Sequence, residues 1–325
     1  MKKSLLPALL LGGLLNAGAQ EGTTAYNILR LTPSAHTAAL GGENISLIDD
    51  TPAAGWSNPA LYAGVSDRSV ELDFMTLPGS SQYMGAQAVK AFGARHTAAA
   101  SIHFMRYGTM DETDAAGNVL GTFSAKDIVV RLAYSYLLSD RWAGGATFKT
   151  VYSRYADYSA AAIAMDVGLN YYDEERDLSA SVALRNVGAQ VNAFDAGRQD
   201  VPLDLQVGFT KGLAHMPVRF SLTMTDLTRW SSSYYYVPEE ESLGFGQKLI
   251  NHFVVGVDIL PTSYLYLSAG YNARRAYELK AAGQGRLAGF SFGGGVNLSR
   301  FKAGIAYTRY HVSASSLLFN VAATF

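Results

Sequence analysis

Residues 26–62 read YNILRLTPSAHTAALGGENISLIDDTPAAGWSNPALY, and the fold turns on how this stretch is understood. It is the one long segment without steady period-two alternation, and it carries Pro33, Gly41, Gly42, Pro52 and Pro59 around the acidic pair Asp49 and Asp50. Gly41-Gly42 permits a backbone turn with positive φ, and Pro52 and Pro59 bar regular helix nearby. From Asp67 onward the chain reads as strand, turn, strand. A compact irregular piece followed only by strands predicts a plug around which a closed sheet wraps.

Upstream, residues 1–19 have the form of an export leader. Lys2 and Lys3 form a positive start, residues 5–15 an apolar core, and Ala17-Gly18-Ala19 a small-x-small cleavage site. With no Cys in the chain, a lipid-anchored version of such a leader, a disulfide framework and a thiolate metal site are all excluded. The expected organisation is 1–19 signal peptide, 20–66 N-terminal hatch and 67–325 barrel.

The formal charge of −1 gives no electrostatic case for nucleic acid. Charged residues make up 16%, below the roughly 25% of soluble domains, while Tyr reaches 20 and Gly 32. Low charge with many Tyr and Gly, and no apolar run long enough for a spanning helix, points to a membrane barrel.

Alternation and turn signals predict fourteen strands, near 68–76, 82–92, 95–107, 127–138, 141–153, 158–172, 177–187, 202–211, 216–226, 251–260, 262–273, 286–297, 299–310 and 316–325. The pattern is clearest late in the chain, where Phe301, Ala303, Ile305 and Tyr307 oppose Arg300, Lys302, Gly304 and Thr308. Links after even-numbered strands are all short, whereas the long ones (108–126, 188–201, 227–250, 274–285) follow odd-numbered strands. That one-sided asymmetry distinguishes an outer-membrane barrel from a soluble sandwich, and an even count puts both sheet ends on the short-turn, periplasmic rim. The fold class is therefore all-β: a single transmembrane antiparallel barrel of about fourteen strands with an N-terminal plug in its lumen.

On this reading Glu71, Asp73, Asp166, Asp204 and Asp258 face inward with Arg131, Lys149, Arg185, Arg219, Arg300 and Lys302. A lumen of mixed sign is a lining that grips a plug. Asp49 and Asp50 would cap a local turn or pair with luminal Arg. Tyr134, Tyr136, Trp142, Tyr171, Tyr271 and Tyr307 are girdle candidates at the two lipid interfaces. Gly289 and the run from Gly293 to Gly295 read as room for the plug or a bend rather than a phosphate cradle. No phosphate loop or HExxH occurs, and the GxSxG spacing at 289–293 and the SxxK spacing at 299–302 fall within predicted strands rather than opening a helix. The six His are scattered without metal spacing, so neither an enzyme nor a cofactor site is expected.

Asn58-Pro59-Ala60, following the acidic pair, resembles the hatch of FadL-type outer-membrane barrels. The longer string is more specific. Tyr26-Asn27, Leu29, Leu31, Ser34-Ala35, Ala39-Leu40-Gly41-Gly42, Asn44, Asp49-Asp50 and Asn58-Pro59-Ala60-Leu61 are similar to the opening of the PorV/PorQ branch of that superfamily, found in the type IX secretion system. Compact size and the string Asp226, Leu227, Arg229, Trp230 look more like the PorQ than the PorV side of the branch. The resemblance implies a non-enzymatic member of a cell-surface attachment complex with PorU-like, PorV-like and PorZ-like partners, embedded in outer-membrane lipid. The alternative it implies is a FadL-like transporter of hydrophobic small molecules.

Two further groups are candidates. Trp230, Tyr234, Tyr235 and Tyr236, in the longest outer loop, form a dense aromatic surface that would dock a partner or fold inward as a lid, with a short helix over 241–249. Phe319, Val321, Ala323 and Phe325 end the chain in an alternating, aromatic-terminated strand, which resembles the signal read by barrel-insertion machinery.

Overall fold

The computed structural model describes residues 26–113, 118–193, 198–231, 243–281, 287–310 and 315–325. The leader expectation and Tyr234, Tyr235 and Tyr236 lie outside the described residues.

Fourteen strands close into a ring: β1 (Ser69–Thr76), β2 (Gln82–Phe92), β3 (His96–Thr113), β4 (Val119–Leu137), β5 (Trp142–Tyr155), β6 (Tyr158–Asp173), β7 (Leu178–Asn192), β8 (Asp204–Gly212), β9 (Val218–Met224), β10 (Phe253–Thr262), β11 (Leu265–Asn272), β12 (Phe290–Asn297), β13 (Phe301–Thr308) and β14 (Ser316–Thr324). Each strand pairs antiparallel with its sequence neighbours, and β1 pairs with β14 from Ser69↔Thr324 to Thr76↔Leu317, so the sheet has no open side. Two α-helices, α2 (Phe245–Asn251) and α3 (Ala273–Ala281), sit in the connections after β9 and β11; α1 (Ala35–Ala39) belongs to the N-terminal segment.

Alternation sets the two faces. Leu72, Phe148, Val255, Phe292 and Phe319 point outward and are exposed, in a continuous apolar belt that water would not tolerate and lipid would. Among the expected inward charges, Glu71, Asp73, Arg131, Lys149, Asp166, Arg185, Asp204, Asp258 and Lys302 are buried, and Arg219 is nearly so. Arg300 departs from the expectation. It lies exposed in the β12–β13 turn, because β13 begins one residue later. Girdle residues pair at the strand ends: Trp142 packs on Tyr171 at 5.1 Å near the short-turn rim, and Tyr271 on Phe290 at 4.9 Å at the opposite one.

The long connections are less loop-like than the sequence suggests. Much of 108–126 is strand, since β3 runs 18 residues and β4 19, and β7 extends through Asn192. The expected helix over 241–249 is instead Phe245–Asn251.

Candidate functional site

Residues 26–66 lie on the inward face of the ring. Their backbone winds through α1 and three 3-10 turns (Asn27–Arg30, Pro52–Trp56, Pro59–Gly64), two of which begin at the prolines that bar α-helix. Ser34 caps α1 by accepting from the Thr37 amide, and Asn58 caps the last turn by accepting from Ala60.

This segment is bonded to the wall in several directions. Asn320 of β14 donates to the Pro33 carbonyl at 2.6 Å and accepts from the Ala35 amide. Ser291 of β12 donates to Ala39 at 2.9 Å, Ser46 meets Thr210 of β8 at 2.8 Å, and Ser135 of β4 donates to Ala60 at 3.1 Å. Arg131 of β4 donates to the Trp56 carbonyl at 2.9 Å, its guanidinium 3.9 Å above the Trp56 ring. Glu71 of β1 accepts from the Ala53 amide at 2.6 Å.

Glycines make room for this contact. At Gly145 a Cβ would stand 2.5 Å from the Pro59 carbonyl carbon, and at Gly168 1.9 Å from the Asn58 amide oxygen. The Asn-Pro-Ala motif is thus seated against two inward glycines of β5 and β6. Gly41 and Gly42 take φ of +106° and +90°, as their sequence position predicts, and bring the chain so close to β11 that only Gly270 fits there. Gly293 faces Ala39, so its expected role as room for the segment holds, while Gly289 turns at φ +80° against Ala276.

The acidic pair finds partners other than luminal Arg. Asp49 Oδ2 is 3.0 Å from His36 Nδ1, whose Nε2 is 3.0 Å from Asp258 Oδ1 on β10. Asp258 is in turn held by Arg219 at 2.9 Å and by Ser268 at 2.6 Å. The imidazole is clamped between two carboxylates and stacked on Tyr266 at 3.8 Å. Burial alone would lower the His36 pKa, but the hydrogen bonds to Asp258 and Asp49 outweigh it and hold it above the ordinary histidine value. Burial would likewise raise Asp49, but the bond to His36 prevails and lowers it. Asp50 accepts from the Ser66 amide at 2.6 Å and pairs with Lys302 of β13. Beside the clamp, a cavity of about 320 Å³ lined by His36, Asp49, Arg219, Tyr264, Tyr266 and Asn297 opens toward the short turn between β10 and β11. His36 is the residue the sequence hid: a lone His in a small-residue run gives no sign of two carboxylates, one of them 222 residues away.

Gly41, Gly42, Asp49, Asp50, Asn58, Pro59 and Ala60 therefore belong to one bonded segment. Trp230 stands apart. It donates to Leu227 at 2.8 Å and packs on His252 at 4.3 Å and on Phe245 of α2 at 6.0 Å, so its ring is turned onto its own loop. Phe319, Val321 and Phe325 lie exposed on the outer face at the β1–β14 seam, with Ala323 half-buried between them.

A second concavity lies on the outside. Ala86, Ala88 and Ala100 of β2 and β3 stand low between Leu72, Val321 and Phe301 on one side and Val130 and Leu132 on the other, leaving an apolar groove of about 640 Å³.

By sequence, the chain matches no family model and no curated protein. By structure it is similar to the Pseudomonas putida toluene transporter TodX, at 13% identity and a TM-score of 0.54 over 90% of this chain and 96% of that one. A FadL homologue from Pseudomonas aeruginosa gives 12% and 0.54 over 90% and 98%. The CymD monoaromatic hydrocarbon channel gives 12% and 0.57 over 93% and 99%. The fold is thus a closed fourteen-strand barrel of the FadL type.

Proposed function

We propose that this chain is a FadL-type outer-membrane barrel serving as a non-enzymatic, PorQ-like component of the type IX secretion system, which holds surface partners of the attachment complex. The observation that carries this reading is the bonded lumen. Segment 26–66 is tied to β1, β4, β8, β10, β12, β13 and β14, with Asp49 and Asp50 both engaged, and an interior filled this way suits a scaffold better than a duct. The resemblance of residues 26–61 to the PorV/PorQ opening supports the finer assignment.

The second reading, passage of hydrophobic small molecules, has its own support. The similar solved structures include a toluene transporter and a monoaromatic hydrocarbon channel, and the apolar groove over Ala86 and Ala100 is of a size that takes such a ligand. The comparisons favour this reading over the first; the luminal bonding favours the first. Purification in mild detergent separates them. Secretion-system proteins co-purifying with the barrel support the scaffold. A barrel that comes alone, and in proteoliposomes admits labelled toluene faster than protein-free liposomes do, overturns it in favour of transport.

A further inference from the structure

Strands β3 and β4 outrun their neighbours. The β2–β3 ladder ends at Gln82↔Arg106 and the β4–β5 ladder at Ala125↔Tyr155, yet β3 and β4 stay paired from Thr109↔Ser124 to Thr113↔Val119. Where the pair leaves the wall, Tyr107 and Gly108 together oppose Ala125, a bulge with Gly108 at φ +81°. Such a bulge bends the strand and re-aims its continuation. The outcome is a two-stranded ribbon above the long-loop rim, and among the described residues no strand pairs with either of its edges.

The two edges differ. The β3 edge is guarded by Asp111 and Glu112. The β4 edge, Val119, Leu120, Gly121, Thr122, Phe123 and Ser124, has no charge and no proline, and Val119 and Leu120 are 62% and 68% exposed. Natural sheets blunt bare edges with charge, proline or cover, and an isolated hairpin is marginal in water. This edge has neither charge nor proline, and it stands directly above the β5–β6 turn, where Ala156 already donates to Ser124.

One detail selects the occupant. Glu112 faces Gly121 across the ribbon, and its carboxylate lies over that glycine, 3.6 Å from where a Cβ would be. With no side chain in between, the charge reaches the open edge. Phe123, two residues along on the same face, offers an apolar neighbour.

We propose that the β4 edge of this ribbon docks a partner protein by strand addition, and that the strand it takes carries Lys or Arg opposite Gly121 and an apolar residue two positions away, opposite Phe123. Backbone hydrogen bonds supply the attachment and Glu112 the selectivity. The inference stands whether or not the barrel conducts small molecules.

The test uses the full chain in lipid nanodiscs and two fluorescent, end-blocked peptides, Val-Thr-Lys-Thr-Val and Val-Thr-Glu-Thr-Val, followed by anisotropy. The Lys peptide should bind roughly two- to five-fold tighter, the scale of one cross-strand charge pair. Glu112→Lys, checked for an intact heat-modifiable barrel, should reverse the order. Reversal establishes the docking edge and its selectivity together. Equal binding of both peptides, an order unchanged in the variant, or no binding at millimolar peptide overturns the proposal. So does a stable dimer linked through Leu120→Cys, which would make a second copy the occupant.

Discussion

The tall wall, β3 to β7, and the short wall, β8 to β14, solve the same problem differently. Both must bury charge against a segment threaded inside the ring. In the tall wall the central charges satisfy one another, Asp166 holding Lys149 at 2.6 Å and Arg131 at 3.5 Å, while the segment is reached by Arg131 through Trp56 and by Arg185 through Glu43 at 3.0 Å. In the short wall the charges satisfy the segment, since Asp258 holds His36 and Lys302 holds Asp50. The buried acid at the centre of the tall wall, Asp166, is therefore part of the barrel, whereas its counterpart in the short wall, Asp258, is also part of the latch. Length follows the same division. β4 has 19 residues and β13 has 8, against about 9–11 needed to cross a bilayer, so only the tall wall has strand to spare above the rim.

Asp166→Asn should have the largest effect. It leaves Lys149 and Arg131, each 1% exposed, without their counter-ion, and breaking such a buried pair costs about 3–5 kcal/mol. The heat-modifiable gel band should vanish at clearly lower urea, and protease access to 26–66 should appear only as the barrel itself opens. Asp258→Asn should do the reverse, exposing the segment while the band persists. If both variants lose barrel and segment together, the distinction between the walls is wrong.

Adjacent glycines in β5 sharpen the comparison from the side of shape. Gly145 faces inward, where a Cβ meets Pro59 backbone at 2.5 Å, whereas Gly144 faces outward with nothing nearer than Leu138 at 3.5 Å. Gly145→Ala must push the segment and should cost about 1–3 kcal/mol, the usual range for overpacking. Gly144→Ala should be neutral or slightly stabilising. Equal urea midpoints for the two would mean that segment 26–66 is not held against β5.

The clamp at His36 can be read by pH. Its folded pKa is raised, so its contribution is complete below the unfolded value of about 6.5 and fades as pH rises through the higher folded value. Asp49 is lowered, so its contribution is complete above about 3.9 and fades only as pH falls through the lower folded value. Protection of 26–66 from protease should therefore be greatest between those limits and decline on the alkaline side. His36→Gln should flatten the alkaline decline and leave the band of the barrel unchanged. An alkaline decline that survives the substitution would exclude His36 as its origin.

The sequence made the strands legible because lipid on one side and packed polar groups on the other enforce strict alternation. Phe301 to Thr308 was readable for that reason, and Arg300 was misread because a turn has no such constraint. Gly41 and Gly42 were legible from backbone chemistry alone. The partners of Asp49 and Asp50 were not, since His36 gives no local signal and Lys302 lies 252 residues beyond Asp50. The β3–β4 ribbon was hidden for a different reason. Above the rim both faces of a hairpin meet water, alternation ends at Gly108, and the residues beyond it read as loop although their backbone stays paired.

The smallest effect belongs to Asp50. Its side chain is 42% exposed while that of Lys302 is 9% exposed, so water can take over part of what the ion pair provides. Lys302 also reaches the Asp50 backbone carbonyl, a contact that no side-chain change removes. In Asp50→Asn the side-chain oxygen can still accept from the Ser66 amide, now 2.6 Å away. What is lost is a single charge in a partly wet site, and such pairs are worth about 0–1 kcal/mol. Protease protection of 26–66 should fall only slightly, less than in Asp258→Asn, and raised salt should shrink the difference from the wild type, since exposed pairs are screened. A loss as large as that of Asp258→Asn, or one indifferent to salt, would show that Asp50 belongs to the closed part of the latch and that the short wall holds the segment at two equal points.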